Sequence, residues 1–303
     1  MFKNLIIYRV LSSLNDDFAS NEDALKSQKF VSCSGSQESS SGWVEPRGQD
    51  HGSLLEFING HWIMKFMFES KVVPASVVKR KVDEHVHKIE VSTGRKPGKK
   101  EMRDLKDSTR ISLLPLAFTK VSSIMVWFDP ETKLLCFDST SQGKTDDCIS
   151  SLVKVFSSFT LRQINTKISP SLAMSEWLST YQVSSADFSI DRECELKAND
   201  ESKAVVRYTR HDLNTDEIKQ HIALGKTPSR LAITWNERVS FLLKESLELK
   251  KVFFTDVVLG DATSAVNDVK DDSFDGDVAI ATGELSQLLP ALIDVLGGEI
   301  APS

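Results

Sequence analysis

The sequence predicts an α+β fold made of several subdomains. The chain has 303 residues, which exceeds the usual size of one compact domain. Its hydrophobic fraction of 40% and charged fraction of 26% are typical of a soluble globular protein. Helical and strand patterns alternate irregularly, without the regular strand–helix–strand order of a parallel sheet, and no long internal repeat is visible. Mixed or antiparallel sheets with helices packed on them are therefore expected.

The N-terminal part, residues 1–73, reads as strands around one helix. An apolar, β-branched run predicts a strand at 5–10. Ser20 and Asp23 form a capping pair that predicts the start of a helix. Residues 32–53 are rich in Ser and Gly, which indicates an irregular connection anchored in the core by Trp43. Residues 61–69 return to strand character.

The next part, residues 74–120, predicts a projecting helical hairpin. Val78, Val82, Val86 and Ile89 follow one another at helical spacing, so they share a face of a helix over 74–90. Glycine and proline near 93–98 interrupt this helix, and a second helix is predicted over 99–114. An apolar turn that ends near residue 120 closes the segment.

The remaining parts are a middle α+β segment, 121–185, and a C-terminal α+β part, 186–303. Strands at 124–128 and 134–137 flank a turn that begins Asp129-Pro130, which predicts a β-hairpin. A helix at 146–156, a strand at 161–164 and a helix after Ser171 follow. The C-terminal part predicts strands at 188–196, 204–208, 230–235, 238–243 and 247–254, with a helix between Thr215 and Gly225. An acidic loop at 256–277, a strand at 277–282 and a helix at 284–296 complete the chain.

Positive charge is concentrated in the predicted hairpin. Residues 79–110 contain eleven Lys/Arg and six Asp/Glu, whereas the whole chain has a formal charge of -6. A local excess of positive charge in an acidic protein predicts a contact surface for a polyanion. The alternative is an ordinary solvated helix pair with mixed surface charge.

Motifs for enzymatic chemistry are incomplete. Gly143-Lys144-Thr145 follows a predicted strand, but a phosphate loop needs a glycine where Asp138 stands. Asp271, Asp275 and Gly276 match the first, fifth and sixth positions of a calcium loop, but the twelfth position, which must supply a bidentate carboxylate, is Thr282. The four cysteines are scattered and are expected to be reduced thiols. The sequence therefore predicts no enzyme, no cofactor and no metal site. No membrane partner is expected either, because the strongly apolar runs, such as 288–296, are shorter than about 20 residues.

Short motifs along almost the whole chain resemble the bacterial recombination-associated protein RdgC family. They include Phe2-Lys3-Asn4-Leu5, Gly42-Trp43-Val44, Ser112-Leu113-Leu114-Pro115 with Ala117-Phe118, Glu176-Trp177, Asp212-Leu213, Gly225-Lys226, Thr282-Gly283-Glu284-Leu285 and Gly297-Gly298-Glu299. Each motif is weak alone, but their order and spacing over the chain make the similarity specific. Leu116 departs from the family pattern, in which a basic residue is common at this position.

The resemblance implies a subunit that pairs with a copy of itself into a ring around double-stranded DNA. Such a protein binds DNA with little sequence preference and limits access of the RecA recombinase. Phe118 matches a subunit-contact aromatic of the family, although a core position is the alternative for a large aromatic. Arg210 and His211 align with a polar pair at the other contact. The expected phosphate contacts are Lys79, Lys81, Arg95, Lys96, Lys99, Lys100 and Arg103.

Three hypotheses for function follow. The first is a sequence-tolerant duplex DNA-binding homodimer in recombination and replication, cytoplasmic and associated with the nucleoid. The second is a regulator whose basic hairpin docks an acidic protein partner. The third, a nuclease or other DNA-processing enzyme, would require a cluster of metal-binding carboxylates.

Overall fold

The computed structural model describes residues 2–12, 18–156, 159–258 and 273–300. Its strands are β1 Leu5–Val10, β2 Ser39–Val44, β3 Leu55–Ile58, β4 His61–Val72, β5 Phe118–Asp129, β6 Leu134–Asp138, β7 Leu161–Gln163, β8 Phe188–Ala198, β9 Val205–Thr209, β10 Lys226–Trp235, β11 Val239–Lys244 and β12 Leu249–Phe254. Its helices are α1 Phe18–Lys26, α2 Ala75–Thr93, α3 Lys99–Leu113, α4 Gln142–Val155, α5 Pro170–Thr180, α6 Asp216–Ala223 and α7 Ser273–Val295. A short 3₁₀ turn, Leu114–Leu116, follows α3.

The strands form one large sheet in the order β2-β4-β5-β6-β1-β12-β11-β10-β8-β9. Strand β3 pairs with β4, and β7 pairs with β1. The described strand pairs are antiparallel, which confirms the α+β class. Strand β1 joins the two halves, because it pairs with β6 on one side and meets β12 at Leu5 and Leu249. The division of the chain after residues 73, 120 and 185 stays a prediction.

Two apolar cores lie on opposite faces of this sheet. Side chains alternate between the faces of a strand, so neighbouring residues enter different cores. In β5, Trp127 belongs to the core that contains α5 and α7, whereas Val126 and Phe128 belong to the core beneath α4. Trp43 is fully buried in the second core, as predicted, and its indole N–H donates to Ser151 Oγ of α4 at 3.0 Å.

Most predicted elements are confirmed within a few residues, and four predictions are wrong. Residues 39–44 form β2 rather than an irregular connection, and Ser20 lies inside α1 rather than at its cap. The predicted strand at 277–282 is helical, as part of α7. Of the predicted acidic loop, 259–272 lie outside the described residues and 273–277 are helical. The buried residues of α7 explain this, because Val278, Ala281, Leu285, Leu288 and Leu292 recur at helical spacing.

Helix α7 is also long and apolar enough, by length and composition alone, to cross a membrane over Phe274–Val295. The sequence-based expectation rested only on uninterrupted apolar runs, such as 288–296, and so did not identify this longer helix as a possible membrane span. In the structure, α7 contributes a row of fully buried leucines to the core on one face of the sheet. Its apolar composition is therefore accounted for by packing within the protein.

Candidate nucleic-acid interface

Helices α2 and α3 are inserted between two neighbouring strands of the sheet. Strands β4 and β5 pair along their whole length, from Trp62 opposite Phe128 to Val72 opposite Phe118. Residues 73–117 therefore leave and re-enter the sheet at the same end of this pair. Each strand has 12 residues, which corresponds to about 40 Å. The end of β5 nearest the helices, Phe118 to Val121, is exposed.

Helix α2 ends as its sequence predicts. Val78 and Val82 are buried, while Val86 and Ile89 on the same face are partly buried. Gly94 follows the last turn with a positive φ of 70°, and its N–H donates to the carbonyl of Glu90 at 2.9 Å. This conformation suits glycine, which has no Cβ to clash, so it ends the helix cleanly. The next helix can then reverse direction and pack against α2.

An ion pair organises the turn between the two helices. Arg95 donates two hydrogen bonds to Glu101, both at 2.8 Å, and Glu101 also accepts from the Gly98 N–H at 2.8 Å. The hydrogen bonds from Arg95 and Gly98 lower the pKa of Glu101 to about 2, and the bond to Glu101 raises the pKa of Arg95. Arg95 is therefore engaged in positioning the start of α3. A phosphate would have to compete with Glu101 for its guanidinium group.

A row of basic side chains follows one side of α3. Lys99, Arg103, Lys106 and Arg110 are spaced by four, three and four residues, so at about 100° per residue they fall within roughly 60° of the helix surface. The row is about 16 Å long, at 1.5 Å per residue. Arg110 pairs with Glu38 at 2.8 Å, just before β2. Within the described part of the chain, Lys99, Arg103 and Lys106 have no ion-pair partner. We call these four residues the α3 basic row.

The other expected phosphate contacts are partly neutralised. Lys81 lies 3.3 Å from Glu84, and Lys96 lies 3.7 Å from Glu90. Lys79 and Lys100 are exposed and, among the residues that the structure describes, form no ion pair. The seven expected contacts thus lie on the same helix pair but differ in availability. The sequence-based set left out Lys106 and Arg110, although their spacing from Arg103 would have revealed them.

Phe118 lies on the surface at the first position of β5. Its side chain is 88% exposed, and Leu116 beside it in the chain is 81% exposed. The alternative that Phe118 belongs to the core is therefore wrong. Its role in a subunit contact stays a prediction, since the structure contains one chain.

Arg210 and His211 lie at the β9 edge of the sheet, whereas Phe118 lies on β5, the third strand from the other edge. Both are exposed and follow β9, which is seven strands away from β5 in the sheet order. Arg210 adopts a positive φ of 56°, and the ring of His211 packs 5.4 Å from that of Tyr208. The strand order therefore places six strands between the two expected contact regions.

Comparison with known proteins identifies the family. A family model described as "Putative exonuclease, RdgC" matches residues 1–299. The chain belongs to the RdgC family. The recombination-associated protein RdgC of Dechloromonas aromatica is 39% identical over 302 residues, covering 99% of this chain and 98% of that protein. The proteins of the same name from Cupriavidus pinatubonensis and Bordetella pertussis are each 37% identical, with 98% of both chains covered.

Family membership confirms the resemblance and a recombination-associated role. The two descriptions differ on enzymatic activity, because the family model names an exonuclease and the relatives are named for recombination. Among the described residues, no group of three or more His, Cys, Asp or Glu side chains is placed to hold a metal ion. The expectation that this RdgC-family chain is not an enzyme stays a prediction.

Proposed function

We propose that the protein binds double-stranded DNA without sequence specificity and acts in recombination and replication. In this proposal two subunits enclose the DNA in a ring and thereby limit access of RecA. The protein acts in the cytoplasm, on the nucleoid. The observation that carries the proposal is the α3 basic row, because three of its four cations have no ion-pair partner among the described residues and stand on an exposed helix of an acidic protein.

Electrostatics explains why such a row suits duplex DNA. Lysine and arginine that neutralise phosphates release condensed counterions, and this gain does not depend on base sequence. The remainder of the chain carries the excess negative charge, which repels DNA from other surfaces. DNA is thereby directed to the α2–α3 helices, which project from the paired ends of β4 and β5 in this proposal.

The separation of the expected contact regions supports the ring. A two-fold dimer that encloses a hole needs contacts at two places, with the hole between them. Phe118 and the Arg210–His211 pair lie near opposite ends of the sheet. An exposed phenylalanine next to an exposed leucine is also the type of side chain that anchors subunit interfaces.

A second candidate function has its own observation. Arg95, Lys96 and Lys81 already bind carboxylates of the same chain. The same helices could therefore dock an acidic protein, and DNA binding would then be incidental. This alternative predicts that duplex DNA of any sequence fails to bind at physiological salt.

A gel-shift experiment with a random-sequence duplex, with and without magnesium, tests the proposal. We expect a retarded complex in both conditions and an intact duplex after incubation. Absence of a complex would favour the acidic protein partner, and loss of the duplex only with magnesium would indicate a nuclease. An unrelated duplex of equal length serves as the control for sequence preference.

A further inference from the structure

A polar pocket of about 540 Å³ opens on the sheet beside helix α4. Its floor is formed by the ends of β2, β4 and β5 that lie away from the core. The pocket shares no lining residue with the α3 basic row. Its lining is rich in hydroxyl groups and contains two lysines.

The strand register places these groups together. Ser41 lies opposite Phe68, which lies opposite Ser122, and two residues further along Ser39, Ser70 and Lys120 are aligned in the same way. Residues two apart on a strand share a face, so these six side chains point to the same side of the sheet. Two residues in the other direction, the aligned residues are buried beneath α4: Trp43, Phe66 and Ile124.

Serine is responsible for the existence of the pocket. Strands usually carry β-branched or aromatic side chains, which would fill the space beside α4. Serine at four of the six aligned positions leaves that space open and lines it with O–H groups that both donate and accept hydrogen bonds. The apolar core therefore ends at Phe68, and a polar cavity begins there.

Two ammonium groups reach this cavity. Lys144, in the first turn of α4, donates to Ser122 Oγ at 2.6 Å, and its Nζ lies 5.2 Å from the centre of the Phe68 ring. Lys120 is exposed at the open end. Neither lysine forms an ion pair with a residue in the described ranges. The carboxylates at the lining belong to Glu69, which accepts from the Cys33 N–H at 2.6 Å, and to Asp147 on α4.

We propose that this pocket binds a phosphate group. Ammonium groups and hydroxyl donors match the several acceptor oxygens of phosphate, and hydrogen bonds with a charged partner are the stronger kind. Lys144 and Ser122 hold one side of the group, and Lys120 with Ser70 holds the other. The phosphate can come from a DNA strand or from a free phosphorylated molecule, because both offer the same chemistry. The pocket is a second anion site, independent of duplex binding by α3.

Titration with inorganic phosphate, followed by amide NMR of the full chain, tests this assignment. We expect saturable shifts centred on the serines of β2, β4 and β5, whereas sodium chloride at matched ionic strength leaves these amides unshifted. Lys120→Met and Lys144→Met each weaken phosphate binding roughly tenfold, since each removes a charge-assisted hydrogen bond. Methionine keeps most of the chain length that packs over Phe68.

Lys154→Met is the matched control, because Lys154 is an exposed lysine in the last turn of the same helix. It should leave phosphate affinity unchanged. Shifts that chloride reproduces, or equal phosphate affinity in all three variants, would overturn the assignment. If a lysine variant fails to fold, the wild-type titration alone tests the assignment. Saturable amide shifts at the serines of the pocket would support phosphate binding, and their absence would refute it.

Comparison of short duplexes with a 5′-phosphate and with a 5′-hydroxyl identifies the source. A preference for the phosphorylated end that disappears in Lys120→Met assigns the site to a strand end. Phosphate binding without such a preference assigns it to an internal or free phosphate. If the wild-type protein binds inorganic phosphate in the pocket but does not bind duplex DNA, the phosphate site stands and the proposed function is refuted. The two failures are therefore distinguishable.

Discussion

Neutralising two residues of the α3 basic row should weaken DNA binding by a predictable amount. Arg103 and Lys106 are exposed, and within the described structure neither has an ion-pair partner. Replacing both with glutamine removes two cations from each subunit, and it breaks no ion pair among the described residues. If roughly 5 to 8 phosphates are neutralised by the wild type, its plot of log K against log salt has a slope of about -4.5 to -7.

The magnitude follows from counterion release. Each phosphate contact contributes about 0.9 to the slope. The proposed dimer carries each substitution twice, so the double variant loses up to four contacts and its slope should be shallower by up to about 3.6. At 0.15 M salt each contact is worth roughly fivefold in affinity by the same relation, so four contacts are worth up to about 900-fold. The assay is a fluorescence-anisotropy titration of a labelled random duplex at four salt concentrations.

A charge-matched control separates this effect from the change in net charge. Lys154→Gln with Lys203→Gln also removes two exposed lysines, from α4 and from the turn between β8 and β9. This control should leave the slope unchanged. Thermal melts of both variants should match the wild type, since exposed substitutions change stability by about 0.5 kcal/mol or less. An unchanged slope in the Arg103/Lys106 variant, or equal losses in both variants, would refute the assignment of DNA binding to α3.

Three further predictions concern stability and assembly. Gly42→Ala should lower the melting temperature, because the added Cβ would lie 2.5 Å from Phe30 Cα, a backbone atom that cannot move freely. Overpacking of this kind costs about 1 to 3 kcal/mol of folding stability. A melting temperature equal to that of the wild type would contradict the packing described. Burial alone would raise the pKa of Glu195, but hydrogen bonds from Arg230, Ser229 and Arg207 lower it to about 2 from the ordinary 4.5. The stabilisation from the ionised Glu195 is therefore present above about pH 4.5 and lost as the pH falls towards 2. Glu195→Gln should flatten the dependence of the free energy of unfolding on pH in this range. A dependence equal to that of the wild type would argue against the pairing of Glu195 with the two arginines. Phe118→Ala should keep the wild-type melt of the dilute subunit while weakening dimerisation, and a large loss of stability with intact dimers would refute the interface role.

Elements with a strong local pattern could be predicted from the sequence. The valines of α2, the Gly94 helix end and the hairpin of β5 and β6 each depend on near neighbours in the chain, and each is confirmed. The α7 error has a local cause as well. Residues 277–282 form an apolar run that fits either a strand or a helix, and only its continuation through Leu285 and Leu292 identifies the helix.

Features that depend on distant residues could not be predicted. Strand β2 contains serine and glycine, which favour loops, and forms a strand because β4 pairs with it from Ser39 to Val44. Gly42 also permits the close approach of the backbone at Gln28 and Phe30. The basic character of residues 79–110 was visible in the sequence. The pairing of Arg95 with Glu101 was not visible, because it depends on how the turn between α2 and α3 folds. This pairing makes Arg95 a less available cation than Arg103.

The mass of the protein–DNA complex in solution tests the central claim most directly. Light scattering of the protein with a random duplex of about 30 base pairs gives the number of chains bound to each duplex. Two subunits that enclose one duplex predict a protein mass twice the 33.8 kDa of the chain, with the same value for unrelated duplex sequences. One chain per duplex at every concentration, or no complex at all, would contradict a dimeric ring that binds DNA.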